Sequence, residues 1–252
     1  MKYGEIVNLG RHKLMCGDAT NREDVSKLVG DEKINLVLTD PPYGMKAQNK
    51  AGTIGHVDKR KVAEWMQRES YPDGIATKKY PMLIGDNSQE SARKNYEIVK
   101  DLTDKLIIWG GQYFADFLPV NGGWLFWNKQ TSLPSFSDGE LAYTSIGKRV
   151  KMYTHMWNGV FREGAQNLNG KTRYHPTQKP VELFMKILDD YSKPDNIILD
   201  CFGGSGTTLI ACEMAGRTCF MMEISPEYCN IICERYEKLK HERGHIRTDF
   251  CS

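Results

Sequence analysis

The stretch Asn196-Ile197-Ile198-Leu199-Asp200-Cys201-Phe202-Gly203-Gly204-Ser205-Gly206, followed by Thr207 and Thr208, decides the fold. Asn196–Asp200 reads as a buried strand, an unbroken apolar run closed by an acid. A turn over Gly203, Gly204 and Gly206 follows, and Thr207–Ala215 continues as a helix. Working outward, Thr218–Glu223 reads as a second strand and Pro226–Lys240 as a final helix. Upstream, Pro180 opens a helix through Ser192, with Val181, Leu183, Phe184, Ile187 and Leu188 at apolar helical spacing. Strand and helix alternating in this way predict an α/β protein with an open, mostly parallel sheet and helices on both faces. Such sheets place ligands at the carboxyl ends of their strands.

The glycine turn lets a ligand approach bare backbone, and Glu223 ends the next strand 20 residues after Gly203. A carboxylate there accepts hydrogen bonds from both hydroxyls of a ribose, so the pair predicts an adenosine-containing cofactor. The turn lacks the lysine of a nucleoside-triphosphate loop and does not match Gly-x-Gly-x-x-Gly.

Composition narrows the rest. Hydrophobic residues at 40% and charged residues at 26% of 252 describe a globular chain. No apolar run approaches the roughly 18 residues of a membrane span. Met1–Lys13 carries no apolar core of a secretory signal, so a cytoplasmic location is expected. Seven cysteines without a Cys-x-x-Cys pair argue against a disulfide scaffold or a zinc ribbon. The spacings of Cys201, Cys212, Cys219, Cys229 and Cys233 fit no tetrahedral metal site, and none is expected. Net charge is only +2, but basic residues concentrate in two places. Residues 45–81 hold eight against four acids, and 148–179 hold seven against Glu163 alone. Two basic segments on an acidic body suggest a localised footprint for a polyanion.

Along the first half, His12–Gly17 and Ile34–Thr39 read as strands flanking a helix at Asn21–Val29, with Thr20 as its cap. Residues 45–80 read as a long mobile insertion with at most a short helix at Lys59–Glu69. Lys105–Trp109 and Trp124–Trp127 read as strands around a short helix near Gln112–Phe117. Ser137–Lys179 reads as irregular, aromatic and basic. Without repeats or a linker, the chain reads as one domain over residues 1–252.

Directly after the strand at Ile34–Leu38 comes Thr39-Asp40-Pro41-Pro42-Tyr43-Gly44. Two prolines stiffen the backbone and remove two N–H donors, leaving carbonyl acceptors without competitors. With the Asp40 carboxylate and the Tyr43 ring, this corner suits a planar heterocycle bearing an amino group. Together with the glycine turn, it resembles the amino-methyltransferases that modify DNA, in the permuted order called the beta class, where Asp-Pro-Pro-Tyr precedes the methyl-donor loop. Ile224-Ser225-Pro226-Glu227-Tyr228 after Glu223 resembles the ribose-binding motif, and Gly17-Asp18-Ala19 the motif whose acid approaches the adenine of the cofactor. His175-Pro176-Thr177-Gln178-Lys179-Pro180 resembles the segment entering the helix before the cofactor strand. Ile108–Gly111 and Trp124–Lys129 also look like family landmarks. Cys201 stands where the family usually has proline.

The resemblance implies a Rossmann-like methyltransferase fold with S-adenosyl-L-methionine as cofactor. Asp18, Ala19, Thr177, Lys179, Asp200, Phe202, Gly203, Ser205, Gly206, Thr207 and Glu223 would line its site. It implies that Asp40 and the Pro41 carbonyl accept the two hydrogens of a target amino group, that Pro42 stiffens the corner, and that Tyr43 stacks on the base. Double-stranded DNA is the implied partner, with base flipping, since a paired base cannot reach such a pocket. Lys148, Arg149, Lys151, Arg162 and Arg173 would hold phosphates, and Trp157 and Phe161 would offer an opposite aromatic wall. The segment 137–179 would then carry target recognition. Asp at the first motif position favours adenine-N6, with cytosine-N4 the alternative. An RNA or protein-amide methyltransferase and a catalytically silent nucleic-acid-binding module are further readings. A homodimer and a restriction endonuclease partner are both compatible with such a chain, and nothing in the residues calls for either.

Overall fold

The computed structural model describes residues 1–44, 88–120, 122–130, 137–157 and 178–248. Nine strands form one sheet: β1 (Ile6–Leu9), β2 (His12–Cys16), β3 (Leu36–Thr39), β4 (Leu106–Trp109), β5 (Gly123–Asn128), β6 (Gly139–Thr144), β7 (Val150–Thr154), β8 (Ile197–Asp200) and β9 (Thr218–Glu223). Among the described residues five helices flank it: α1 (Arg22–Val29), α2 (Glu90–Val99), α3 (Val181–Tyr191), α4 (Thr207–Ala215) and α5 (Pro226–Thr248). A short 3₁₀ turn occupies Gly111–Tyr113. The strand order is β1-β2-β9-β8-β3-β4-β6-β5-β7. From β2 to β4 every pairing is parallel, while β1 and β6 run antiparallel to their neighbours.

The central strands are apolar on both faces because both are covered. Leu36, Leu38, Ile107, Trp109 and Ile198 point toward Leu183, Phe184, Ile187, Leu209 and Ile232 of α3, α4 and α5. Their alternates Val37, Leu106, Ile108 and Leu199 point toward Val25, Leu28, Ala92 and Tyr96 of α1 and α2. The two-residue period of each strand thus sorts its side chains between the two helical layers.

Several expectations need correction. Asn21, not Thr20, caps α1: its side chain accepts from the Glu23 N–H. Thr20 instead donates its hydroxyl and its N–H to Asp18 Oδ1, both at 2.8 Å. The helix expected near Gln112–Phe117 is the tighter turn at Gly111–Tyr113. The stretch expected to be irregular from Ser137 contributes two strands, β6 and β7. The insertion at 45–80 lies outside the described residues. Among the described residues no helix is long and apolar enough to cross a membrane.

At the far end of the sheet, His12 is fully buried, and its Nδ1 accepts from the Cys219 N–H at 2.9 Å. Nε2 must therefore carry the proton and donate to Glu213 Oε2, also at 2.9 Å. Burial holds the imidazole below its ordinary value despite Glu213. As pH falls, the unfolded chain takes up a proton on this imidazole before the folded protein does, so stability present above the unfolded imidazole value is lost as pH falls toward the folded one. His12→Ala is expected to remove that acid-side slope from a pH series of urea unfolding, besides lowering overall stability.

Candidate active site

Three carboxylates stand at the carboxyl ends of adjacent parallel strands. Asp40 follows β3, Asp200 ends β8 and Glu223 ends β9. Because β8 pairs with both neighbours, the strands bearing Asp40 and Glu223 lie two spacings apart, about 10 Å. Repulsion from Asp40 reaches Asp200, and from Asp200 reaches Glu223, so the three share one electrostatic neighbourhood.

Asp200 is the base of the glycine turn. Its Oδ1 accepts from the Thr39 hydroxyl at 2.8 Å and the Phe202 N–H at 3.1 Å; its Oδ2 accepts from the Thr208 hydroxyl at 2.5 Å. Burial pushes its carboxyl up to about 6, with these donors opposing. Glu223 tethers the turn from the other side: Oε2 accepts from the Gly204 N–H at 2.7 Å and Oε1 from the Ser225 N–H at 2.9 Å. Its carboxyl is pushed up to about 7, again chiefly by burial. The Ile224 N–H also faces this carboxylate, and with about four lone-pair sites in all it keeps acceptor capacity beyond these three donors. Gly206 enters α4 at φ +83°, a left-handed conformation that suits glycine, and a side chain there would press on Ile232 of α5.

Neighbouring groups lock this loop. Arg235 donates to the Ser205 carbonyl and, at 3.1 Å, to its hydroxyl. The Thr207 hydroxyl donates to the Lys179 carbonyl at 3.2 Å. Asp18 lies just past β2, where the Gly17 N–H donates to the Glu223 carbonyl at 3.1 Å. The neighbouring Ala19 carbonyl accepts from buried Asn95 at 2.9 Å.

The Asp40 corner carries what sequence reasoning missed. Lys179, expected beside the cofactor, directs its ammonium to Asp40 Oδ2 at 2.6 Å and to Glu140 Oε2 at 3.1 Å. Glu140, on β6, also accepts from Lys129. Burial would neutralise such groups, but the charges outweigh it. Lys179 is held above the ordinary lysine value by Asp40 and Glu140, and Glu140 is brought down to about 2 by Lys179 and Lys129. The Tyr43 hydroxyl donates to Asp40 Oδ1 at 2.5 Å. Burial, then the charge of Asp40, pushes that phenol well above its ordinary value, so it stays a donor.

The Tyr43 ring stacks on Tyr113 with centroids 5.2 Å apart and meets the edge of Phe114. Both partners follow Gly110-Gly111, and that glycine pair before two aromatics was the signal available in the sequence. Gly110 sits at φ +73°, and a Cβ there would lie 2.1 Å from the Tyr43 ring. Gly110→Ala is expected to displace Tyr43 and lower stability by about 1–3 kcal/mol. Calorimetric melting checks the stability, and a stacked Tyr43 in a structure of the variant would contradict the packing argument.

The expected nucleic-acid residues divide. Lys148 and Arg149 are exposed just before β7. Lys151, on β7, is paired with Asp190 at 2.7 Å. Trp157 is 6% exposed and packed in the core, so it offers no open aromatic wall. Phe161, Arg162, Arg173 and Thr177 lie outside the described residues.

An α/β sheet with an acid-diproline corner on the strand next to a glycine turn is the architecture of a methyl-transferring enzyme acting on amino groups, and the comparisons give the same class. A family model described as DNA methylase, of the N6/N4 type, matches residues 77–234. The type II methyltransferase M2.DpnII of Streptococcus pneumoniae is 35% identical, over 94% of this chain and 96% of that protein. The putative methylase YubD of Escherichia coli K12 is 38% identical, over 77% of this chain and 78% of its own. Among solved structures, the cytosine-N4-specific PvuII DNA methyltransferase superposes with a TM-score of 0.52 at 16% identity, over 91% of this chain and 90% of that one. The chain belongs to the N6/N4 DNA methylase family, and it is an S-adenosyl-L-methionine-dependent DNA amino-methyltransferase. The residues fit that cofactor, because a turn of bare glycine backbone lies beside a buried carboxylate with acceptor capacity to spare.

Proposed function

We propose that the enzyme methylates the N6 amino group of adenine at a specific site in duplex DNA, on a base turned out of the helix. The observation that carries this reading is Asp40 at the end of β3 and Glu223 at the end of β9, on strands separated by β8 and thus about 10 Å apart. That distance leaves room for one methyl group to be presented to one amino nitrogen. When bound, the cofactor supplies an electrophilic methyl; the chain supplies the acceptors.

An aromatic amine is a weak nucleophile because its lone pair is delocalised into the ring. Asp40 accepting one amino hydrogen and the Pro41 carbonyl the other favours a pyramidal nitrogen with a localised pair. Acceptors fixed in advance at a water-poor strand end do this without reorganising during the reaction. Glu223 accepts from the ribose hydroxyls of the cofactor, the glycine turn takes its backbone-facing side, and Asp18 approaches its adenine. Tyr43 offers a face to the extruded base. An aspartate ahead of Pro41-Pro42-Tyr43, as in adenine-modifying members of the class, supports adenine over cytosine.

The test incubates the protein with methyl-tritiated cofactor and unmodified duplex DNA, RNA and protein in parallel, then digests the labelled DNA to nucleosides. Label in N6-methyl-2′-deoxyadenosine is expected. Label in N4-methylcytosine would replace the adenine reading, and label only in RNA or protein would overturn it.

A further inference from the structure

Both oxygens of Asp40 accept hydrogen bonds, and their two donors differ in kind. Oδ2 receives an ammonium that is 5% exposed and shared with Glu140. Oδ1 receives the hydroxyl of half-buried Tyr43, at a distance of 2.5 Å. The ammonium cannot leave cheaply: it is buried, it lies 5.6 Å from the Trp109 ring centroid and 5.7 Å from that of Tyr43, and two carboxylates hold it. The Tyr43 hydroxyl, which also accepts from the Lys179 ammonium at 3.3 Å, is neutral and sits on a partly exposed ring, so it leaves more readily.

We propose that Lys179 and Glu140 are positioning residues for Asp40. Glu140, itself anchored by Lys129, holds the Lys179 ammonium on Oδ2. Oδ1 is then the oxygen that receives the target amino group when the Tyr43 hydroxyl releases it. An aspartate rotates freely about its last torsion, and a clamp on one oxygen fixes the plane of the other. Glu140 comes from β6, an antiparallel strand inserted between β4 and β5, so the clamp reaches Asp40 from outside the parallel core. Among the described residues the corner is charge-balanced, with Asp40 and Glu140 against Lys179 and Lys129; Tyr43, Tyr113 and the more distant Asp200 are its other ionisable neighbours there.

This rests on Asp40 being the acceptor in methyl transfer to DNA, and the experiment separates the two. Single-turnover transfer to unmodified genomic DNA is followed across pH, with cofactor affinity measured separately. Lys179→Met is expected to slow transfer on the order of 10²-fold while cofactor affinity stays at the wild-type value. Its acid limb should move to higher pH, because Glu140 and the corner around it lose the nearest cation. Lys179→Arg, which keeps the charge, should return the acid limb to the wild-type position. Glu140→Gln alone should slow transfer, yet cost nothing further when added to Lys179→Met, since it acts through the ammonium. Should Lys179→Met fail to fold, the double variant, which loses one charge of each sign, carries the pH measurement. Wild-type rate and acid limb in the Lys179 variants, or costs that add in the double variant, would overturn the clamp alone. A wild-type chain that transfers nothing to DNA would overturn the reading beneath it as well.

Discussion

Asp40→Ala is expected to abolish methyl transfer to DNA while leaving S-adenosyl-L-methionine affinity near that of the unaltered protein. The two halves of the result come from different strands. Asp40 makes no hydrogen bond to the glycine turn; its partners are Tyr43 and Lys179, whereas the turn is held by Asp200, Glu223 and Arg235. Losing one preorganised polar group of this kind costs about 10²–10³ in rate. Here the loss is compounded, because Lys179 is left beside an empty corner and draws toward Glu140. The fold should survive, since the Lys179 ammonium keeps that second carboxylate. Asp40→Asn is expected to fall between: its amide oxygen still accepts, but its NH₂ cannot accept from Lys179 or Tyr43. Radiolabel transfer and titration calorimetry with the cofactor separate the two effects. Full turnover by Asp40→Ala, or lost cofactor affinity with it, would refute the assignment.

That division of labour was partly legible in the sequence, for physical reasons that differ by element. The parallel core was readable because strands buried on both faces must be continuously apolar, as Ile197–Leu199 and Leu36–Leu38 are. Asp200, Glu223 and Asp40 were readable because each ends such a strand, where a charge is tolerated only for a reason. β7 was not, since its Val150, Lys151 and Met152 are all exposed and its pattern shows no buried period. Nor was α2, which buries Asn95 on its inner face where an apolar residue would have marked it. The clamp on Asp40 was invisible for a further reason. Glu140 and Lys179 lie 100 and 139 positions away in the chain, and only the insertion of β6 beside β4 brings the first to the second. Asp200, expected among the cofactor residues, braces the turn from beneath through its bonds to Thr39, Thr208 and Phe202.

Cofactor affinity is expected to rise with pH between about 6 and 8, and Glu223 sets that dependence. Its carboxyl is pushed up to about 7, above the ordinary glutamate value, because burial disfavours the charge. In the ligand-free protein the ionised form is therefore a minority below that value. With Glu223 in its proposed role as ribose acceptor, binding would favour the ionised form and compete with the proton, weakening up to about tenfold per pH unit on the acid side. Folding stability runs the other way. A raised folded-state value contributes stability that is present below the unfolded glutamate value and lost as pH rises through about 7. The thermal shift produced by a fixed cofactor concentration should then be larger at pH 8 than at pH 6, while the ligand-free melting temperature gains nothing from Glu223 at the higher pH. Glu223→Gln should flatten this component of the dependence. Glu223→Ala should weaken binding on the order of 10²-fold or more, since hydrogen bonds to a charged group contribute about 1.5–3 kcal/mol each and two hydroxyls lose their acceptor. Asp200, pushed up to about 6, titrates in the same direction, but its oxygens are turned to Thr39, Thr208 and Phe202. Its influence should therefore appear as loosening of the turn at high pH, and the slope that survives in Glu223→Gln measures it.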